Sequence, residues 1–360
     1  MKILTVVGAR PQFIKAAPVS LRLRDMGHEE YLVHTGQHYD HRMSQVFFEE
    51  LAIPRPHVNL GVGSGPHGWQ TGRMLVALEE VMLEQRPDWV LVYGDTNSTL
   101  AGALAAIKLH IRVAHVEAGL RSFNREMPEE HNRVLTDHCA DLLFCPTETA
   151  VRNLAQEGIT AGVHQVGDTM YDAVRRFAHM ARQRSQILAD LELEPRQYAL
   201  ATIHRPYNTD EPAQLRRILS ALAELGFPVV FPVHPRTRRR MVEFDRMDLE
   251  FGDRGMVRFI EPVSYLDMLV LEENARLILT DSGGMQKEAF FFRVPCVTIR
   301  PETEWVETVE MGWNRLVHPE EILEAAAAFL ADRRPEGPRW EPVYGDGNAA
   351  QRICDILGRS

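Results

Sequence analysis

The stretch Ala275-Arg276-Leu277-Ile278-Leu279-Thr280-Asp281-Ser282-Gly283-Gly284-Met285-Gln286-Lys287-Glu288 runs an apolar strand through Asp-Ser-Gly-Gly into a helical segment. Such a turn is an anion seat. Two successive glycines let the backbone approach a ligand, the first N–H groups of the helix point outward, and the helix dipole favours negative charge. A phosphate is the expected guest. A second strand-to-helix turn opens the chain, Ile3-Leu4-Thr5-Val6-Val7-Gly8-Ala9-Arg10-Pro11-Gln12-Phe13-Ile14-Lys15, which predicts a ligand held by two separate units.

Working outward, apolar runs alternate with longer amphipathic stretches, the pattern of βα units around parallel sheets. Strands are expected at 3–7, 31–34, 89–93, 112–116 and 142–145, and again at 198–203, 229–233, 257–260, 277–279 and 297–299. A long charged helical stretch, 171–193, marks the domain junction, giving 1–170 and 171–344. The glycine-rich Gly61-Val62-Gly63-Ser64-Gly65 lacks a convincing strand before it and reads as a mobile loop, not a dinucleotide fingerprint.

Composition bounds the function. At 360 residues with 45% hydrophobic and 25% charged residues the chain is ordinary globular material. A net charge of −10 argues against general nucleic-acid binding, no stretch has the apolar length of a membrane helix, and the start does not read as a signal peptide, so a cytoplasmic protein is expected. Cys139, Cys145, Cys296 and Cys354 lack metal-like or redox-like spacing and read as reduced, buried hydrophobes. Lysine occurs only at Lys2, Lys15, Lys108 and Lys287, which draws attention to the two beside the glycine turns.

In open parallel sheets, ligands bind beyond the carboxyl ends of the strands. Arg10, Asp95, Glu117, His204, His234 and Ser282 all follow expected strands. Asp95 also reads as a helix N-cap, Glu117 as a partner for Arg121, and Glu129 and Glu130, after Pro128, as first-turn helix carboxylates. His115-Val116-Glu117 lacks the Pro-Cys-x-x-Cys that would complete a zinc deaminase site, and Ser282 is in no Gly-x-Ser-x-Gly elbow. His204-Arg205 and His234-Pro235-Arg236 put cation-capable groups at strand ends of the second sheet, suited to phosphate. These readings reach a two-domain α/β protein clamping a phosphorylated, nucleotide-linked ligand near a carboxylate-rich wall.

The chain resembles the non-hydrolysing UDP-N-acetylglucosamine 2-epimerases over essentially its whole length. The resemblance is carried by Gly8-Ala9-Arg10-Pro11 with Lys15, Thr35-Gly36-Gln37-His38 with Met43, Gly94-Asp95-Thr96, His115-Val116-Glu117-Ala118-Gly119-Leu120-Arg121 and Pro128-Glu129-Glu130 with Asn132-Arg133. Pro232-Val233-His234, Thr280-Asp281-Ser282-Gly283-Gly284 and Tyr344-Gly345-Asp346-Gly347 complete it.

It implies a glycosyltransferase-B-like fold: two Rossmann-like domains, the active site in the cleft between them, a final helix (345–360) returning to the first domain, and a homodimer. It also implies conversion of UDP-N-acetylglucosamine to UDP-N-acetylmannosamine, needing neither nicotinamide nor metal, and supply of polysaccharide precursors. UDP would leave with loss of the C2 proton, giving bound 2-acetamidoglucal, and add back after protonation from the other face.

By motif, Asp95, Glu117 and Glu129 are the implied proton carriers, with His204 and Arg10 stabilising the leaving diphosphate. Arg10, Lys15, His204, His234, Ser282, Gly283, Gly284 and Glu288 would hold the substrate, and Glu130, Arg205 and His234 match a second-substrate activator site. Two departures, His204-Arg205-Pro206-Tyr207-Asn208 for His-Arg-x-Glu-Asn and Trp305-Val306-Glu307 for Arg-Pro-Glu, leave the sugar open, including a 2,3-diacetamido uronic acid. A glycosyltransferase of the same fold, a non-catalytic sensor and a hydrolysing 2-epimerase are the alternatives.

Overall fold

The computed structural model describes residues 1–37, 48–49, 51, 53–245, 252–254, 256–331 and 338–360. It divides into two compact units, Met1–Arg175 with Pro342–Ser360, and Arg176–Glu341.

The first unit holds strands β1 (Lys2–Val7), β2 (Glu29–His34), β3 (Val58–Asn59), β4 (Trp89–Tyr93), β5 (Arg112–Val116), β6 (Leu142–Cys145) and β7 (Val163–Gln165). They form one parallel sheet in the order β3-β2-β1-β4-β5-β6-β7. The second unit holds β8 (Ala199–Thr202), β9 (Val229–Pro232), β10 (Gly252–Arg254), β11 (Val257–Ile260), β12 (Leu277–Thr280), β13 (Cys296–Thr298) and β14 (Asn314–Leu316). Their order is β10-β11-β9-β8-β12-β13-β14, parallel except where β10 pairs antiparallel with β11. Setting β10 aside, each sheet runs outward both ways from its first strand in the order of a Rossmann unit, so each is a Rossmann-like domain of the glycosyltransferase-B-like kind. The switch point lies between β1 and β4 in one and between β8 and β12 in the other.

Helices on both faces explain why the central strands read as continuous apolar runs. All five residues of β4 are buried, and in the second unit Ala199, Ala201 and Ile203 enter one core while Tyr198 and Leu200 enter the other. β3, β7, β10 and β14, which the sequence reading missed, are the outermost strands of their sheets. β3 therefore does precede the Gly61–Gly65 loop, which is tied by Val62 N–H to Thr35 O and Gly63 N–H to Gly36 O. The charged stretch at the junction is a helix, Thr169–Arg184, followed by a short one, Ile187–Asp190. Asp172 on the first of these accepts the Ala349 and Ala350 amides at 3.1 and 2.8 Å, capping the final helix, Ala349–Leu357. Of the cysteines, Cys145, Cys296 and Cys354 are buried, Cys139 is half-buried, and all are free thiols. No helix among the described residues is long and apolar enough to cross a membrane.

Candidate functional site

At the switch point of the first unit, the amides of Gly8 and Ala9 do not face outward as an anion seat would require. Both donate to Gln12 Oε1, at 2.7 and 3.1 Å, while Gln12 Nε2 reaches Tyr93 O, Thr96 Oγ1 and Thr99 Oγ1. Gln12, which the sequence reading passed over, thus ties the ends of β1 and β4 together. A side chain at Gly8 would put its Cβ 2.0 Å from Ser98 Oγ, so this glycine is there for packing.

Beyond β4, Gly94 turns with φ +64° and presents Asp95. The N-cap of the following helix, Asn97–Lys108, is Thr96, whose side chain accepts from the Thr99 amide, so Asp95 is not the N-cap. Asp95 Oδ2 accepts from Arg133 Nη2 at 2.5 Å, and its backbone carbonyl accepts from Asn132 Nδ2 at 2.9 Å. Beyond β5, Glu117 sits at φ +73°, a strained value for a residue with a side chain, of the kind that gathers at functional sites. The expected pairing with Arg121 is not found: Glu117 is ion-paired with Lys15, and Arg121 is taken by Asp137 and Glu157. Burial pulls the Lys15 ammonium down, but Glu117, with Asp168 and Asp95 behind it, more than offsets this and holds it above its ordinary value. All three carboxylates thus act on one ammonium, Glu117 by direct contact.

Pro128 occupies the first turn of the Pro128–Cys139 helix, as expected, with Glu129 and Glu130 beside it. The two differ sharply. Glu129 is half-buried and makes no hydrogen bond or ion pair among the described residues. Glu130 is buried and accepts from the Ser122 amide and hydroxyl, the Phe123 amide and Arg133, so its work is to hold the 122–123 turn. Arg10 is half-buried at the start of the Arg10–Asp25 helix. His38 and Met43 lie outside the described residues.

The switch point of the second unit is organised by Asp281, fully buried at the end of β12. It accepts from the His204 and Arg205 amides, from His204 Nδ1 at 3.0 Å and from Asn208 Nδ2 at 3.1 Å. Burial raises this carboxyl, yet His204, the Arg205 amide and Asn208 together hold it below the ordinary range. With Nδ1 committed, Nε2 is the His204 nitrogen left for a ligand. The His234 ring lies 5.4 Å away. Ser282 caps the helix Gly283–Phe291, and the helix has no carbonyl for the Gly283 and Gly284 amides. The two glycines are unequal: a Cβ at Gly283 would sit 2.9 Å from Glu304 Oε1, whereas one at Gly284 would meet open space. Gly284 is the position where a ligand has room. One helical turn on, buried Glu288 accepts from Tyr265 Oη at 2.9 Å. Where the resembling family continues with arginine, Trp305 lies under the buried Lys287 ammonium, 3.6 Å from its ring centroid.

The fold and these two switch points define a protein of two Rossmann-like units, one with paired carboxylates beyond its strands and one with a glycine-opened helix beyond its own. Comparison with known proteins narrows the class: residues 22–358 match the UDP-N-acetylglucosamine 2-epimerase family model, and the chain belongs to this family of isomerases. A UDP-N-acetylglucosamine 2-epimerase homolog of Methanococcus maripaludis is 52% identical over 99% of both chains. The UDP-2,3-diacetamido-2,3-dideoxy-D-glucuronate 2-epimerase of Pseudomonas aeruginosa is 49% identical over 100% of both. The crystal structure of Methanocaldococcus jannaschii UDP-GlcNAc 2-epimerase in complex with UDP-GlcNAc and UDP superposes with a TM-score of 0.92 at 44% identity, covering 100% of both chains.

Proposed function

We propose that the chain interconverts UDP-N-acetylglucosamine and UDP-N-acetylmannosamine without net hydrolysis, in the cytoplasm, as a source of precursors for envelope polysaccharide. The C2 hydrogen lies next to no carbonyl, so its direct removal would leave a poorly stabilised carbanion. Elimination avoids this. The C1–O bond to UDP breaks as a carboxylate takes the C2 proton, leaving 2-acetamidoglucal with a C1=C2 double bond. A carboxylic acid on the opposite face then returns a proton to C2 while the UDP oxygen re-forms the bond to C1. No oxidant or reductant enters the balance.

In this reading Ser282, Gly283 and Gly284 seat the diphosphate at the helix N-terminus. Arg10 and His204 Nε2 meet its developing charge, His234 lies beside it, and Glu288 holds the ribose hydroxyls. Asp95, Glu117 and Glu129 divide the proton transfers. The observation that carries the reading is the pairing of two of these with cations, Lys15 with Glu117 and Arg133 with Asp95, while Glu129 is paired with none among the described residues. Carboxylates in unlike environments are what acid and base roles on two faces require. Glu130, committed to the 122–123 turn, is assigned a structural part there, and Arg205 and His234 are the cationic residues for a second substrate molecule.

Proton NMR of UDP-N-acetylglucosamine with the protein in deuterated buffer tests this. Growth of a UDP-N-acetylmannosamine signal deuterated at C2, with UDP still attached, is the expected result; accumulation of free UDP and free sugar would establish the hydrolysing reaction instead. Asp95→Asn, Glu117→Gln and Glu129→Gln should each lower turnover by roughly 10²- to 10⁴-fold with UDP affinity retained. The 49% identity to the P. aeruginosa enzyme favours a second reading, in which the sugar is a 2,3-diacetamido uronic acid, and the same NMR experiment with that UDP-sugar decides between them.

A homodimer belongs to the proposal. On the helix His67–Gln85, Trp69, Val76 and Leu83 recur at intervals of seven and are 50, 56 and 58% exposed. An antiparallel pairing of two such helices about Val76 sets Trp69 against Leu83, and the exposed Arg73 against the exposed Glu80.

A further inference from the structure

Behind the carboxylates lies a buried polar network to which no role has been given. His115, on β5 and fully buried, places Nε2 2.7 Å from Gly94 O and Nδ1 2.7 Å from Asp137 Oδ1. A carbonyl only accepts, so Nε2 carries a proton and donates it to Gly94. Asp137, on the Pro128–Cys139 helix and 1% exposed, uses its other oxygen to accept from the Gly119 amide at 3.1 Å and from Arg121 Nη1 at 2.7 Å. Arg121 is fixed in turn by Glu157 at 2.6 and 2.8 Å.

The connectivity is specific. Gly94 precedes Asp95, and Gly119 lies two residues after Glu117, so one carboxylate grips both turns that carry proposed proton carriers. The same helix supplies Glu129 in its first turn and Arg133, the partner of Asp95. Both turns need the grip. Gly94 and Glu117 have positive φ, and besides this network the turns are held by the Gly94 amide on Val116 O, the Glu117 and Ala118 amides on Phe144 O, Asn132 Nδ2 on Asp95 O and Asn153 Nδ2 on Gly119 O. Burial raises the Asp137 carboxyl, but His115 and Arg121 hold it below the ordinary range, consistent with an acceptor at both oxygens.

We propose that His115 and Asp137 are positioning residues for the epimerisation: through Gly94 O and the Gly119 amide they fix Asp95 and Glu117 relative to each other and to Glu129. This rests on the reading of Asp95 and Glu117 as proton carriers. Because reaction geometry is lost steeply with displacement, roughly 10²-fold for about 1 Å, loosening these turns should cost turnover while leaving diphosphate binding, whose proposed seat is Ser282, Gly283 and Gly284, nearly intact.

Two substitutions separate the two ring nitrogens. His115→Asn keeps a polar atom near the Nδ1 position for Asp137 but cannot reach Gly94; His115→Gln places an amide near the Nε2 position and can. The measurements are amide hydrogen exchange of peptides covering 93–97 and 116–120, with kcat and KM for the UDP-sugar. H115N should exchange at least tenfold faster in 93–97 and lose about 10² in kcat with KM within threefold, and H115Q should recover most of both. Should H115N not fold, Asp137→Ser, which releases the Gly119 amide and the His115 ring, reads the same peptides, with faster exchange expected in both. Unchanged exchange in the folded variant, or H115N and H115Q alike in exchange and kcat, overturns the positioning role. Faster exchange with kcat untouched, together with normal turnover of D95N and E117Q, overturns the proton-carrier reading beneath it.

Discussion

Replacing Lys15 by methionine probes the electrostatic centre of the first unit most directly. The Lys15 side chain is 14% exposed and that of Glu117 6%, so removing the ammonium takes the cation from a carboxylate with almost no water to solvate it. Breaking a buried pair in this way typically costs about 3–5 kcal/mol. Protonation offers Glu117 an escape, which caps the penalty: neutralising a carboxyl of ordinary pKa about 4.3 at pH 7 costs about 1.36 × 2.7, or about 3.7 kcal/mol. For a folding unit of roughly 200 residues, that is a fall in Tm of about 7–15 °C.

The pH dependence is the sharper signature. A carboxyl whose pKa is raised by burial binds its proton more tightly folded than unfolded, so the deficit of K15M relative to wild type should shrink as pH falls from 7 toward 4.3, by up to about 1.36 kcal/mol per unit. In the double variant K15M/E117Q, no charge is stranded and the deficit should be smaller and flat. Urea unfolding of wild type, K15M and K15M/E117Q at pH 7, 6 and 5 reads all of this. A K15M deficit below about 1 kcal/mol at pH 7, or one that does not move with pH, would refute the reasoning.

The two glycines of the seat should separate: Gly283→Ala has only to push aside the end of the Glu304 side chain and should cost about 1 kcal/mol or less in urea unfolding, whereas Gly284→Ala should fold normally yet weaken UDP at least tenfold by calorimetry. Asp281 has its carboxyl held below the ordinary value, so the stability it confers is present above about pH 3.9 and lost as pH falls through its lower folded value. Acid titration followed by circular dichroism should therefore show Asp281→Asn losing less stability than wild type between about pH 4 and 2. Val76→Glu, placing two carboxylates on the proposed two-fold axis, should convert the proposed dimer to a monomer in light scattering, and an unchanged mass would rule out that helix as the interface.

Much of the fold was legible because buried parallel strands announce themselves. The Trp89–Tyr93, Arg112–Val116, Leu142–Cys145 and Val257–Ile260 strands have the bounds read from their apolar runs. The four missed strands have two or three residues each and lie at sheet edges, where a single neighbour fixes the backbone and no apolar run is required. Placement of candidate residues at strand ends was equally accessible, since it follows from strand position alone: Asp95, Glu117, His204 and Ser282 all stand just beyond the carboxyl ends of β4, β5, β8 and β12.

Partnership was not legible, and it decides the chemistry. Arg121 is four residues from Glu117 and Lys15 is over a hundred residues away, yet Lys15 takes the carboxylate, because the turn after β5 carries Glu117 toward the β1 end while Arg121 passes on to the Pro128–Cys139 helix and Asp137. Glu129 and Glu130 are adjacent in sequence and a third of a helical turn apart in space, enough to commit one to four donors and leave the other without any among the described residues. A one-dimensional reading counts such carboxylates as equivalents, whereas the proposed proton transfer on two faces of one carbon needs them to differ. The difference is supplied by cations and amides from remote parts of the chain, so the turns that carry these acidic side chains are tied by residues no motif singled out for a role, Gln12 at the β1 and β4 ends and Asp137 with His115 at Gly94 and Gly119.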